Sequence, residues 1–184
     1  VVKSGRSEAG ARAAASHTGA LAGLDEAYNA AFRRAGIIRV NTVRQLFDCA
    51  EALGKVSRPV SGGLGIITNA GGPGVMAIDA LSAWGAEPAA LRPETLARLN
   101  ELLPRFWSHG DPIDILGDAT PERYVQAVKI ALAAPEFAGL IVILTDQAMT
   151  DPTGVARALI PEITPQAKPV LAVWMGGEIG RAHV

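Results

Sequence analysis

Several things are scarce in this 184-residue chain, and each scarcity closes off a class of function. Cys49 is the sole cysteine, so no internal disulfide can form; the composition points to a reducing cytoplasm, and the thiol reads as a small apolar residue on a helix. No apolar run approaches the roughly 18 residues that a membrane helix requires, and the start lacks a charged segment followed by an apolar core. The sequence therefore predicts neither a membrane span nor a secretion signal. Charge of one sign is missing too: 17 basic against 18 acidic residues leave a net charge of −1, with no field to draw nucleic acid or a membrane surface. Histidine is also rare, at His17, His109 and His183, so few side chains can do chemistry near neutral pH without tuning.

Apolar residues, by contrast, make up 49% of the chain, in short β-like runs that alternate with helical stripes. Val1-Val2-Lys3 reads as the end of a strand, and 37–40 as another brief one. Residues 25–35 carry Ala27, Ala30, Ala31 and Arg34 at helical spacing, with Gly36 placed to stop the helix. Val43, Leu46, Phe47, Ala50 and Leu53 line one face of a helix capped by Asn41 or Thr42 and ended by Gly54. Turn formers over 57–63 predict a linker between a first part, 1–56, and a second, 64–177. In the second part, 64–68, 87–91, 140–144 and 170–174 read as strands and 112–116 as a short extended segment. Helices are predicted over 72–84, 93–103, 121–133 and 152–163. Apolar strands separated by helices predict an α/β fold of flavodoxin-like or Rossmann-like type, a parallel sheet with helices on each side. The last residues, 178–184, resemble the translation of a DNA-sequencing adapter and are read as a non-native tail, so His183 is set aside with them.

Ligands of such folds sit beyond the carboxyl ends of the strands. There, strand 64–68 runs into Asn69-Ala70-Gly71-Gly72-Pro73-Gly74 and directly into a helix. Glycine admits close approach of an anion to backbone N–H groups, and Pro73 gives up only an N–H that a first turn leaves unused. This predicts a phosphate cradle at Asn69, Gly71, Gly72 and Gly74, although tight packing accounts for many such turns. It is neither a P-loop nor a Gly-x-Gly-x-x-Gly turn. His17 stands in Ser16-His17-Thr18-Gly19-Ala20-Leu21-Ala22-Gly23, which reads as a small-residue loop ahead of a helix N-terminus. Arg6, Ser16, Thr18 and Gly19 are close to it in sequence and supply a cation, hydroxyls and backbone freedom suited to an anion. From chemistry alone His17 stands as a phosphorylated carrier, a general base, or an exposed or structural histidine.

The run Lys3-Ser4-Gly5-Arg6-Ser7-Glu8-Ala9-Gly10, followed by the histidine segment, closely resembles the phosphohistidine region of NDP-forming acyl-CoA synthetases, the succinyl-CoA synthetase-like family that includes ADP-forming acetate–CoA ligases. Residues 68–75, 112–119 and 145–152 are similar to stretches of the same family's later flavodoxin-like domain, so that the resemblance covers 1–177. It implies that His17 takes a phosphoryl group from an acyl phosphate and passes it to ADP. It also implies that the glycine turn is one of two helix N-termini that hold the phosphohistidine, with Arg6, Ser16, Thr18, Gly19 and Asp114 as site neighbours. Asp114 reads equally as a turn carboxylate, and no metal site is implied within the chain. For the complete enzyme the resemblance implies acyl-CoA, acyl phosphate and phosphate as substrates, CoA, ATP or ADP and Mg2+ as cofactors, and an oligomer. A CoA-binding Rossmann domain, expected ahead of residue 1, and an ATP-grasp domain or subunit would be its partners, so this fragment is expected to lack complete activity. Asp111 departs from the pattern, because the family usually has Asn there. Two other readings stay open: an acyl-CoA-sensing region of a protein lysine acetyltransferase, against which the intact His17 argues, and a non-catalytic α/β binding module.

Overall fold

A computed structural model describes residues 1–18, 23–55, 62–163 and 168–176. The predicted tail, most of the predicted linker and Gly19 lie outside the described residues. The chain divides into two compact units, 1–58 and 59–184.

The first unit contains helices α1 (Glu8–Thr18), α2 (Asp25–Arg34) and α3 (Val43–Lys55). Ser7 caps α1, its Oγ accepting the Gly10 N–H at 3.1 Å, and the alanines at 9, 11 and 13–15 are the strongest helix formers available. This overturns the reading of the histidine segment as a loop ahead of a helix: His17 sits in the last turn of α1. Thr42 and Gln45 cap α3 reciprocally, Thr42 Oγ1 accepting the Gln45 N–H while Gln45 Oε1 accepts the N–H groups of Asn41 and Thr42. Gly54 does not end α3, which runs on to Lys55. The predicted strand over 37–40 reduces to a parallel bridge between Val2 and Val40. Asp25 collects Arg39 at 2.6 Å, Arg6 at 3.7 Å and Lys3 at 3.8 Å, and the Arg39 hydrogen bond holds its carboxyl below the usual range. The amphipathic face of α3 is uncovered, with Phe47 and Leu53 exposed, and Cys49 is only half-buried.

The second unit is built on a parallel sheet, β1 (Gly63–Thr68), β2 (Ile113–Asp114), β3 (Phe137–Thr145) and β4 (Val170–Met175), in the order β2-β1-β3-β4. Between them lie α4 (Gly71–Ala83), α5 (Pro93–Leu102), α6 (Pro121–Ala133) and α7 (Pro152–Ile163). Successive side chains of a strand face opposite sides. Leu140, Val142 and Leu144 of β3 join Ile67, Ile113, Leu99, Tyr124, Val128 and Leu159 in one core, on the side of α5, α6 and α7. Ile141 and Ile143 face the other way, toward α4, where with Val173 and Met175 they line an apolar groove of about 340 Å3. The sheet is thus flanked by helices as predicted, but β4 is half uncovered rather than buried on both faces. No strand forms over 87–91. The Ala89 N–H there goes to the Asp111 carboxylate instead of to a neighbouring strand.

Gly63 and Gly65 in β1 allow close approach: a Cβ at Gly65 would lie 2.8 Å from Leu140 Cδ2 and from the Phe137 ring. Asp111, just ahead of β2, accepts the Ile66 N–H at 2.8 Å and the Ala89 N–H at 3.3 Å. Burial nevertheless dominates and pushes its carboxyl up to about 6, the two hydrogen bonds opposing the rise. A raised folded-state value means that the stability Asp111 contributes is full below about pH 4 and lost as pH rises through about 6. Asp111→Asn removes that dependence and keeps one acceptor. Its stability relative to the parent should therefore rise by up to about 3 kcal/mol between pH 4 and pH 7, at roughly 1.36 kcal/mol per tenfold. Urea unfolding across that range checks this, and a difference independent of pH would refute it.

Candidate functional site

All strands of the second unit point their carboxyl ends the same way, and the chain leaves β1 for the outer strand β2 before returning to β3. Between β1 and β3 lies the point where the connections diverge, the crevice that α/β folds use for ligands. The β1–β3 ladder stops at Thr68 opposite Ile143. Asn69 then extends it with its side chain: Nδ2 donates to Thr145 O at 2.9 Å, and Oδ1 accepts the Thr145 N–H at 2.8 Å. Asn69 is 1% exposed, so its amide is committed to this clamp rather than open to an anion.

The glycine turn begins one residue later. Thr68 Oγ1 accepts the Ala70 N–H at 3.1 Å and donates to Ala70 O at 2.8 Å, which fixes the start of α4 without a capping side chain at Ala70. Gly71 and Gly72 are exposed, and as the opening residues of α4 their N–H groups have no partner within the helix. A Cβ at Gly72 would meet nothing within 4 Å, whereas one at Gly74 would lie 3.0 Å from Thr68 Cγ2 and 3.3 Å from Pro112. The predicted cradle residues therefore divide by role: Gly71 and Gly72 offer donors, Gly74 lets the helix approach the strand, and Asn69 holds the strand ends together.

Asp114, opposite Thr68 in β2, faces the same turn. Its Oδ1 accepts the Leu116 N–H at 2.9 Å, while Oδ2 lies 3.4 Å from where a Cβ of Gly71 would be. Leu116 has φ 70°, a left-handed conformation that a branched residue seldom takes, and the Asp114 bond supports it. Beneath the crevice the Tyr124 hydroxyl donates to Ile143 O at 3.1 Å, and burial, then the charge of Asp114, pushes its phenol above the usual range. On the far side of the β2–α6 loop Arg123 is held by Asp118 at 2.6 Å and by Ile115 O at 3.1 Å. His109 has φ 52° and is held through Nδ1 by Asn100 Oδ1 and through Nε2 by Arg105 O. Sequence reasoning passed over Gln147, whose Nε2 donates to Asn69 O at 3.2 Å. The available signal was a polar residue three positions past the wholly apolar run 140–144.

In the first unit His17 is exposed at the carboxyl end of α1. That end presents carbonyl oxygens and the negative pole of the helix, so α1 itself offers no anion cradle to the ring. Arg6 precedes the other end of α1. Roughly 15 Å of helix axis separates it from His17, at about 1.5 Å per residue, and its guanidinium is engaged by Asn41 Oδ1 and Asp25. The structure does not bring Arg6 and His17 together. Ser16 Oγ donates to Ala13 O at 2.7 Å, within the helix, and Thr18 is the last residue of α1. Among the described residues no grouping of three or more His, Cys, Asp or Glu side chains could hold a metal ion, and no helix is long and apolar enough to cross a membrane.

Removing the strand clamp has a defined cost. Asn69→Ala strands the N–H and C=O of Thr145 in a partly buried setting, and each such loss is worth about 1–3 kcal/mol. The variant should lose about 2–4 kcal/mol in urea unfolding, and a loss under about 0.5 kcal/mol would show that the clamp is dispensable.

Comparison with known proteins agrees with this division. Residues 1–53 match the succinyl-CoA ligase like flavodoxin domain, and residues 64–173 match the Ligase-CoA domain. The chain is 42% identical to acetate–CoA ligase [ADP-forming] I of Archaeoglobus fulgidus, over 97% of its own length and 25% of that protein. It is 40% identical to the alpha subunit of acetate–CoA ligase [ADP-forming] I of Pyrococcus furiosus, over 96% of this chain and 38% of the subunit. Its fold matches dinucleotide forming acetyl-coenzyme A synthetase 1 of Ca. Korarchaeum cryptofilum, solved in complex with phosphate and ADP, with a TM-score of 0.88 and 37% identity over 97% of this chain and 39% of that one. The chain thus spans between a quarter and two fifths of these relatives. With both domains matched in succession, the chain belongs to the NDP-forming acyl-CoA synthetases, the succinyl-CoA synthetase-like family.

Proposed function

We propose that this chain is the part of an ADP-forming acid–CoA ligase that carries and receives the phosphoryl group. The observation that carries this reading is the pair of unpartnered N–H groups at Gly71 and Gly72, on a family domain that accompanies a segment with an exposed histidine. In the reaction, phosphate attacks the acyl-CoA thioester and CoA leaves as the thiol, giving an acyl phosphate. A ring nitrogen of His17 attacks the phosphorus, the P–O bond to the acyl group breaks, and a carboxylate leaves. A terminal oxygen of ADP then takes the phosphoryl group and His17 is regenerated; every step runs in reverse for synthesis of acyl-CoA.

The end of α1 that bears the ring is rich in carbonyl oxygens and offers phosphoryl oxygens no N–H donors of its own. Gly71 and Gly72 supply such donors at the positive end of a 13-residue helix, positioned before the charge arrives. On this reading CoA, the nucleotide and Mg2+ are bound mainly by the CoA-binding and ATP-grasp parts of the complete enzyme.

The test uses the complete synthetase that contains this chain. Incubation with γ-labelled ATP should leave an acid-labile, base-stable phosphate on His17, and His17→Ala should abolish both the label and acyl-CoA synthesis. An alanine variant that still makes acyl-CoA at the parent rate would sink the carrier role.

A further inference from the structure

A glycine pair at a helix start can rotate its peptide planes at little cost, and a rotated plane presents a carbonyl where an N–H is needed. The planes leading into α4 are held from outside the turn. Across the Asn69–Ala70 peptide, the carbonyl accepts Gln147 Nε2 at 3.2 Å and the N–H donates to Thr68 Oγ1 at 3.1 Å. In the next peptide Ala70 O accepts the Thr68 hydroxyl at 2.8 Å and the Gly74 N–H at 3.4 Å. Carbonyl and N–H point oppositely across a trans peptide, so the Gly71 N–H is turned outward.

We propose that Gln147 is a positioning residue for the anion cradle of α4: from the end of β3 its side-chain amide holds the Asn69–Ala70 peptide and, with the Thr68 hydroxyl on the next one, fixes the direction of the Gly71 donor. The proposal rests on the reading of that turn as a phosphate site. Gln147 is itself placed from two sides. Its main-chain N–H donates to Thr150 Oγ1 at 2.9 Å, and its side chain lies against Gly117, where any Cβ would collide with Oε1. Gly117 in the β2–α6 loop thus makes room for an amide from the β3–α7 loop that acts on the β1–α4 turn. The three loops that ring the crevice meet at this one side chain.

The experiment follows the Gly71 and Gly72 amide resonances of this chain, labelled with nitrogen-15, as inorganic phosphate is added at pH 7. Gln147→Met keeps the length and bulk beside Gly117 but removes the donor to Asn69 O. It should weaken phosphate binding at these amides about tenfold, the scale of one well-placed hydrogen bond, and should shift the Gly71 amide resonance of the phosphate-free chain. Gln147→Glu sets a carboxylate against the Asn69 carbonyl and should weaken binding further, the extra loss shrinking as salt is added; it serves as the comparison should Gln147→Met fail to fold. Phosphate affinity in Gln147→Met equal to the parent's overturns the proposal, as does a loss of affinity with the Gly71 amide resonance of the phosphate-free chain unmoved. A parent chain whose Gly71 and Gly72 amides ignore phosphate instead overturns the cradle reading, and this inference with it.

Discussion

Parallel strands that part company leave backbone groups without partners, and at the point where β1 and β3 diverge the side chain of Asn69 supplies them. Its amide presents one donor and one acceptor, the same pair that a further residue of strand would present, and Thr145 receives both. Everything at the carboxyl end of the sheet is referred to that clamp. The glycine turn starts one residue beyond it, the Asn69 carbonyl is the acceptor for Gln147, and Tyr124 bonds Ile143 just beneath. An apolar residue at 69 would free the ends of β1 and β3 together, and with them the turn that separates strand from donors.

The helices of the second unit were legible because their signals are local. Pro121 and Pro152 open α6 and α7 at the residues where periodicity begins, and both helices end where it ends. Apolar runs likewise located β1, β3 and β4, since a buried parallel strand has little choice but to be continuously apolar. Failures occurred where a distant partner decides the outcome. Nothing in 87–91 reveals that Ala89 will donate to a carboxylate 22 residues away, and nothing beside Asp111 reveals that two backbone donors await it in a site dry enough to raise its carboxyl to about 6.

The histidine segment failed for a different reason. Serine, threonine and glycine around His17 suggest a loop by composition, yet the alanines preceding it and the Ser7 cap favour a helix, and the helix prevails through residue 18. Of the glycine turn, the residue types were readable but not their placement: the sequence could not separate glycines that open a surface from the one that admits Pro112, nor show that Asn69 is already engaged. Gln147 escaped notice because its contacts are with Gly117 and Asn69, which lie 30 and 78 residues away.

Asp114 sets the electrostatic problem that this site must solve. A carboxylate near the first N–H groups of α4 lies well with the helix dipole while no other anion is present, and it also supports the left-handed Leu116. A phosphoryl group that reaches Gly71 and Gly72 meets the same carboxylate at close range, and two anions sharing one helix end repel unless a proton or a cation intervenes. Arg123, the guanidinium held at the β2–α6 loop, is already bound to Asp118. If the turn is the phosphate site proposed above, the donors at Gly71 and Gly72 have to outweigh Asp114, and donors outweigh a fixed charge only when their direction is fixed as well. On that reading the direction of the N–H groups matters more than their number, and the bond from Gln147 beyond β3 restrains a turn that its glycines would otherwise leave free.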